Sequence, residues 1–581
     1  MNRARRSAER RINKREHKIT FSYSISKGER IMRKMKKIIA ITLSLAVLAA
    51  SVTACSKGTS DSKESAATAS TKEENTSGGT TEKEEAGITL PLSKEKVTLT
   101  MYAGAMDGNY STVSNDYNDN AFFKEMEKRT NVHIEFQTVP QGSTDAFNLM
   151  IASGELPDLI YGPGAYQDGL DAAIDDGYYL DLTDYLDTYL QDYNKLRTKS
   201  ADLERNSTTD SGRIAAVLQI YQTPQPPWMG LMIRKDWLDE LGLQVPKTTS
   251  EWETVLTAFK EKKGAYAPLS LGGPLGFYGQ GFGVASGTGV FSDSWLNMDG
   301  KVVYNDTTDN MKAYLTVLAD WYKKGLIDPD FMTKQSAYFA DTAMVTTGQT
   351  GVFNAVYTMK DMFKATSSDT DFDVIAIRNP LPDSGIEGKV GFVTPDIGGA
   401  GMAVSADSKN KEIAMKWLDY LFTEEGSLLA NYGIENDTFT YNEEGKPVFT
   451  EKITKNPEGL AMAQAMALYT LPPSLLPCNY DWTRELAGVS KASADMMSVW
   501  GEQKVDNNYP SQATMTNDEN REYASIYSNV QTYSSERVTQ FITGVHDINK
   551  EWDDYVNTIK ELGIDRCVEI KQAALDRYLQ R

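Results

Sequence analysis

Cysteine and histidine are scarce in this chain. Its 581 residues include three Cys, at 55, 478 and 567, and three His, at 17, 133 and 546. A zinc centre needs several such ligands at short spacing. No cluster of them exists, so neither a metal nor a cofactor is expected. His133 falls in an alternating stretch and reads as a structural strand residue. GxSxG and HExxH motifs are also missing, which removes common signatures of serine hydrolases and zinc proteases. The 80 Asp and Glu make carboxylate pairs inevitable by chance. Their number is therefore no argument for a glycan-cleaving enzyme, which needs two carboxylates facing each other across a sugar. Cys478 and Cys567 pair or stay free thiols; spacing alone does not decide.

Positive charge is the minority. Lys and Arg number 60 against 80 acidic residues, a net of −20. Removing residues 1–54 takes away 14 basic and three acidic residues and leaves −31. Nucleic acid is excluded as a partner, since its binding is driven by phosphate neutralisation. The same argument counts against strongly anionic polysaccharides, although local charge in a cleft can override the total.

The apolar run Ile38–Ala50 is long enough for a signal-peptide core but short for a membrane span. Lys36 and Lys37 precede it, and Val52-Thr53-Ala54-Cys55 follows. That order resembles the lipobox of bacterial lipoproteins, which implies cleavage before Cys55 and lipid on its sulfur and new amino group. Residues 35–54 are then a signal peptide. A transmembrane anchor is the competing reading, and the flank after Cys55 argues against it. Ser56–Gly87 is rich in Ser, Thr, Glu, Lys and Gly and cannot bury enough apolar area to offset the entropy of ordering. Residues 55–95 read as a lipid-anchored tether. Residues 1–34 read as a basic extension or an upstream start. Lys27-Gly28-Glu29-Arg30 fits purine-rich codons ahead of Met32.

The remaining body, almost 490 residues, exceeds a single core. Its first part alternates strands and helices: strand 97–102, a helix Ala121–Arg129 capped by Asp119 or Asn120, strand 132–139, a helix from Asp145 to Ala152 ended by Gly154, and strand 158–161. This predicts a parallel sheet with helices on both faces. Ligands in such sheets sit beyond the carboxyl ends of the strands, here the loops 103–120 and 162–167. Later segments are helical: Glu251–Lys260, capped by Ser250 with Glu253 in the capping box, then Asp309–Lys324, Lys411–Leu421, Glu424–Tyr432, Trp552–Leu562 and Asp565–Leu579. Trp237, Trp252, Trp321, Trp417 and Trp552 lie on these amphipathic helices and read as core.

Five stretches in order carry a resemblance over nearly all the mature chain. They are Ile233–Leu243 continuing to Trp252; Trp321–Pro329; Ala403–Asp407 with Ala414–Gly426; Asn431–Glu435 leading to Tyr441; and Phe541–Gly544 with Trp552–Tyr555. Together they resemble extracellular solute-binding proteins of bacterial ABC importers, in the large oligosaccharide-binding lipoprotein branch. The resemblance implies an α/β, two-lobed periplasmic-binding-protein-like fold, each lobe a sheet flanked by helices, joined by hinge strands. It implies lobe 1 at 96–230 and 392–455, and lobe 2 at 231–391 and 456–581. Crossings are expected near Met229–Ile233, near Val390–Ala403 and after about Thr450. Some relatives carry a calcium loop after the helix matching Glu251–Lys260. Here that place reads Glu261–Pro268, with two lysines and no Asp, so no calcium is expected there.

Sugars present flat C–H faces to aromatic rings and hydroxyls to Asp, Asn, Gln and Arg. Candidate contacts in irregular segments are Tyr110, Asn118, Asp119, Tyr161, Tyr166, Trp228, Phe353, Tyr357, Asp396 and Trp482. A buried structural role competes at each; Trp228, Tyr161 and Trp482 stand out because they fall near lobe junctions. Phe277, Tyr278 and Phe282 lie in the glycine-rich run 272–289, which lacks the GKS or GKT of a phosphate loop. The reading is a non-catalytic, lipid-anchored monomer on the outer face of the cytoplasmic membrane that hands an oligosaccharide to an ABC permease. A receptor for peptides or another small solute and an exported glycan-degrading enzyme are the alternatives.

Overall fold

The computed structural model describes residues 88–581 apart from 141, 144, 272–275, 286–293, 335–339, 386, 392–395, 474 and 503–506. The signal peptide, Cys55, most of the tether and part of the glycine-rich run lie outside these residues.

Alternating apolar residues in β1 (Val97–Ala105) bury both of its faces. Leu99, Met101 and Ala103 join one core, while Tyr102 joins Phe147 and Ile160 on the opposite face. With β2 (Val132–Val139), β3 (Leu159–Tyr161), β4 (Val217–Tyr221), β10 (Ile397–Val404) and β13 (Asn479–Tyr480) it forms a six-stranded sheet in the order β13-β4-β10-β3-β1-β2. Neighbours pair in parallel except at β10, which is antiparallel to both β3 and β4. The carboxyl ends of the parallel strands therefore meet the start of β10.

Helix Ala121–Thr130 packs under this sheet through Phe122, Phe123 and Met126. Its cap is Asn120, fully buried. The amide oxygen accepts from the backbone N–H groups of Phe122 and Phe123 at 2.7 and 3.3 Å. The amide nitrogen donates to the carbonyls of Ala467 and Thr470 at 2.7 and 3.0 Å. One side chain thus starts a helix and fastens a segment almost 350 residues away.

A second, antiparallel sheet has the order β8-β5-β9, from β5 (Met229–Arg234), β8 (Val352–Val356) and β9 (Val374–Ala376). Leu231 and Ile233 face a large core that also takes in the C-terminal helices Asn517–Thr543, Ile548–Glu561 and Ile564–Gln580. Met232 faces a smaller core with Phe353 and Phe363. Two hairpins, β6 (Trp295–Met298) with β7 (Lys301–Tyr304) and β11 (Phe439–Tyr441) with β12 (Pro447–Phe449), complete the strands among the described residues. The five tryptophans read as core are buried, and Trp252 stacks on Trp321 with ring centroids 6.3 Å apart.

The helix expected at Glu251 starts earlier. Thr248 and Glu251 form the capping box of Thr249–Lys263. Ser250 and Thr249 instead bond Asp383, and these bonds hold its carboxyl down to about 2.

The third crossing also departs from expectation. Helix Met462–Tyr469 and β13 stay with the six-stranded sheet, and Leu471, Leu475, Leu476 and Cys478 belong to its core. The chain reaches the second lobe by Met496, which packs against Met232 and Phe353. Cys478 and Cys567 are free and sit in the two different cores.

Candidate functional site

Three crossings begin side by side at the carboxyl end of β4. The Tyr221 N–H donates to the Asp396 carbonyl at 2.9 Å, and the Gln222 N–H donates to the Tyr480 carbonyl at 2.8 Å. The side chains emerging there are aromatic. Tyr221 and Trp482 meet edge-to-face at 5.5 Å between centroids, and Tyr480 meets Trp482 at 5.2 Å. Trp482 and Tyr221 are half-buried, so each keeps an open surface. The Tyr221 ring lies over Gly398, where a Cβ would come within 2.8 Å of it. Gln219, buried beneath, has an amide oxygen with no hydrogen-bond partner among the described residues.

Polar bonds fix this cluster. Asp481 accepts from the Thr223 hydroxyl at 2.9 Å and from the Tyr432 hydroxyl at 2.8 Å. The backbone N–H of Trp482 donates to the Thr223 hydroxyl at 2.8 Å. The Tyr480 hydroxyl donates to Glu485 at 2.6 Å. Glu485 in turn faces Tyr357, just past β8, whose phenol is pushed up by burial first and by this carboxylate second.

Trp228 stands half-buried on the first crossing, and its carbonyl accepts from the Tyr357 N–H at 3.1 Å. Behind it the indole of Trp500 lies against Gly230 and donates to the Leu231 carbonyl at 3.0 Å. Tyr161, half-buried at the end of β3, covers Gly104 at 3.3 Å from where a Cβ would stand. The exposed Asp396 sits at the start of β10.

Other sequence candidates are placed elsewhere. Tyr110 is fully buried, stacked on Tyr117 at 4.9 Å, with its hydroxyl donating to the Asp116 carbonyl. Phe353 is fully buried and edge-on to Phe363. Both are core residues, with no face left for a ligand. Asn118 lines a separate cavity of about 460 Å³ beside His133 and Glu135 at the β2 edge. Asp119 accepts from Ser114. The Tyr166 hydroxyl donates to Asp176 at 2.5 Å, and its ring packs on Tyr178 and Tyr179. From the glycine-rich run, Tyr278 and Phe282 are core.

A second cavity, about 700 Å³, opens between the lobes. Asp168 and Gly169 after β3 and Ile397–Gly399 of β10 wall one side; Ser511, Gln512, Thr514–Asn517, Arg577 and Arg581 wall the other. Gly398 links it to the aromatic cluster. At the end of helix Thr249–Lys263, Lys263 pairs with Glu240 and Lys260 donates to the Lys324 carbonyl. Among the described residues no three His, Cys, Asp or Glu are grouped to hold a metal ion. No described helix is long and apolar enough to cross a membrane.

Two α/β lobes, three adjoining crossings and an aromatic-lined junction define a two-lobed binding protein. The chain belongs to the bacterial extracellular solute-binding protein family, whose model matches residues 111–427. It is 26% identical over 523 residues to the fructooligosaccharide ABC transporter substrate-binding protein FusA of Streptococcus pneumoniae, covering 84% of this chain and 92% of FusA. It is 28% identical over 372 residues to the lipoprotein LipO of Bacillus subtilis, covering 60% and 69%. Among solved structures, an HMO-binding solute-binding protein from Bifidobacterium longum infantis superposes with a TM-score of 0.64 at 20% identity, covering 83% and 99%.

Proposed function

We propose that this chain is the capture receptor of an ABC importer, taking an oligosaccharide between its lobes and passing it unaltered to a membrane permease. The observation that carries the reading is the Tyr221–Tyr480–Trp482 cluster at the meeting point of the crossings. With Tyr480 buried behind them, the half-buried rings of Tyr221 and Trp482 offer faces beside Glu485 and Asp396, the combination that sugar C–H faces and hydroxyls require. FusA, which aligns with most of the chain, is named for fructooligosaccharides, and this supports a glycan ligand. Tyr161, Trp228 and Tyr357 join the cluster as contacts.

In this reading lobe 1 comprises the first sheet with residues up to about 486, and lobe 2 the second sheet with the C-terminal helices. Ligand binding favours the closed arrangement by its higher affinity for it. The chain acts as a monomer without metal, cofactor or catalysis. Cleavage before Cys55 and lipid on that residue hold it on the outer face of the cytoplasmic membrane, with residues 55–95 as tether. LipO, a lipoprotein by name, supports the anchor. A thermal-shift screen against an oligosaccharide library tests the function. A ligand at 100 times its Kd adds about 2.7 kcal/mol of stability, so a true ligand raises Tm. A screen in which peptides stabilise and no glycan does would favour the peptide receptor.

A further inference from the structure

The cavity between the lobes holds two cations, Arg577 and Arg581, near the end of the C-terminal helix. A guanidinium is the side chain best shaped to grip a sugar carboxylate, through two parallel hydrogen bonds. Both are already engaged within the protein. Oδ1 of Asp210, on the opposite lobe, accepts from Arg581 Nη2 at 2.6 Å and Nε at 2.8 Å. Oδ2 of the same residue accepts from Arg577 Nε at 3.4 Å. Arg577 is also bonded to Glu519 at 2.6 Å. The Arg581 side chain is only 5% exposed.

Four carboxylates share the cavity wall: Asp168, Asp171, Asp175 and Asp210. Asp171 and Asp175 both lean on Arg213, at 2.9 and 2.7 Å. A sugar bearing a carboxylate would enter against this like charge and would find both guanidinium forks taken. A neutral sugar meets no such repulsion, because its hydroxyls donate to carboxylates.

We propose that Asp210 is a specificity-determining residue: by holding Arg581, and by sharing Arg577 with Glu519, it closes the cavity to uronate-bearing oligosaccharides and leaves it to neutral ones. This rests on the oligosaccharide reading above and names the class of ligand. Asp210→Asn takes the counter-charge from Arg581, while Arg577 keeps Glu519, so the variant gains affinity for acidic sugars relative to neutral ones.

The test is calorimetric titration of the mature chain with a panel of neutral oligosaccharides and with length-matched oligogalacturonates. Wild type is expected to bind its best neutral ligand at least 100-fold more tightly than any oligogalacturonate. Asp210→Asn is expected to raise the acidic-to-neutral affinity ratio at least tenfold. The triple variant Asp210→Asn, Arg577→Gln, Arg581→Gln is expected to lose that gain, which a merely structural role of Asp210 would not produce. Wild type binding an oligogalacturonate as tightly as any neutral sugar overturns the proposal whether or not the variants fold. So does a folded Asp210→Asn whose ratio is unchanged. Either result leaves the receptor reading standing, whereas failure of every glycan on wild type removes that reading too.

Discussion

The Thr223 hydroxyl donates to Asp481 at 2.9 Å, joining two crossings that are 258 residues apart in sequence. The same oxygen accepts the backbone N–H of Trp482 at 2.8 Å, so one threonine ties the loop at two successive residues. Thr223→Val keeps the shape and removes both bonds. It should weaken oligosaccharide binding about tenfold, on the order of 1.4 kcal/mol, with the melting transition still cooperative. Calorimetric affinity that matches wild type would separate Thr223 from the site.

Tyr161 ends β3 and Trp228 stands on the first crossing, just before β5. Replacing either by Ala should weaken sugar binding about tenfold through lost stacking area. The double variant should lose more than either single one. Equal affinity of the double variant and wild type for the true ligand would remove both from the contact set.

Gly230 is needed for packing. A Cβ there would stand 2.6 Å from the Trp500 ring, and Gly230 pairs with Ala355 in the second sheet. Gly230→Val should cost about 1–3 kcal/mol from overpacking and shift the tryptophan fluorescence as Trp500 is displaced. Denaturant midpoints measure the first effect and emission maxima the second.

Asp419 is buried and accepts the backbone N–H groups of Tyr193 and Asp192 at 2.8 and 3.2 Å. Burial pushes its carboxyl up to about 7, against the pull of those two bonds. Between the unfolded value near 4 and the folded value near 7, the folded state alone holds the proton. Rising pH therefore removes stability across that window, by at most about 1.4 kcal/mol per pH unit from this group. Below pH 4 and above pH 7 its contribution is flat. Asp419→Asn should abolish this slope, so the difference in unfolding free energy between variant and wild type should change between pH 4 and 7. A constant difference would contradict the shift.

Much of the fold is legible from periodicity. Val97–Tyr102 alternates and Asn120 precedes an apolar helix face, so strand, cap and parallel sheet follow from local chemistry. The third crossing is not legible, because Met462–Tyr469 has the pattern of a buried helix and the pattern does not say which core receives it. Residues at the junction divide the same way. Trp482 is visible as an aromatic in an irregular loop beside prolines. Tyr221 and Tyr480 end strands and read as ordinary strand residues until the crossings are seen side by side. Tyr110 and Phe353 mislead for the opposite reason: loop-like or strand-end positions in sequence, but rings turned into the core. The Thr248–Glu251 capping box competes with Ser250–Glu253 two residues on, and a partner 133 residues away, Asp383, takes Ser250.

The most direct test of the whole account is calorimetric titration of wild type and Trp482→Ala with the oligosaccharide that most raises the melting temperature. Saturable one-to-one binding to wild type, weakened at least tenfold in the variant without loss of cooperative unfolding, is the expected result. Equal affinity in the two proteins would contradict the placement of the sugar at the junction of the lobes.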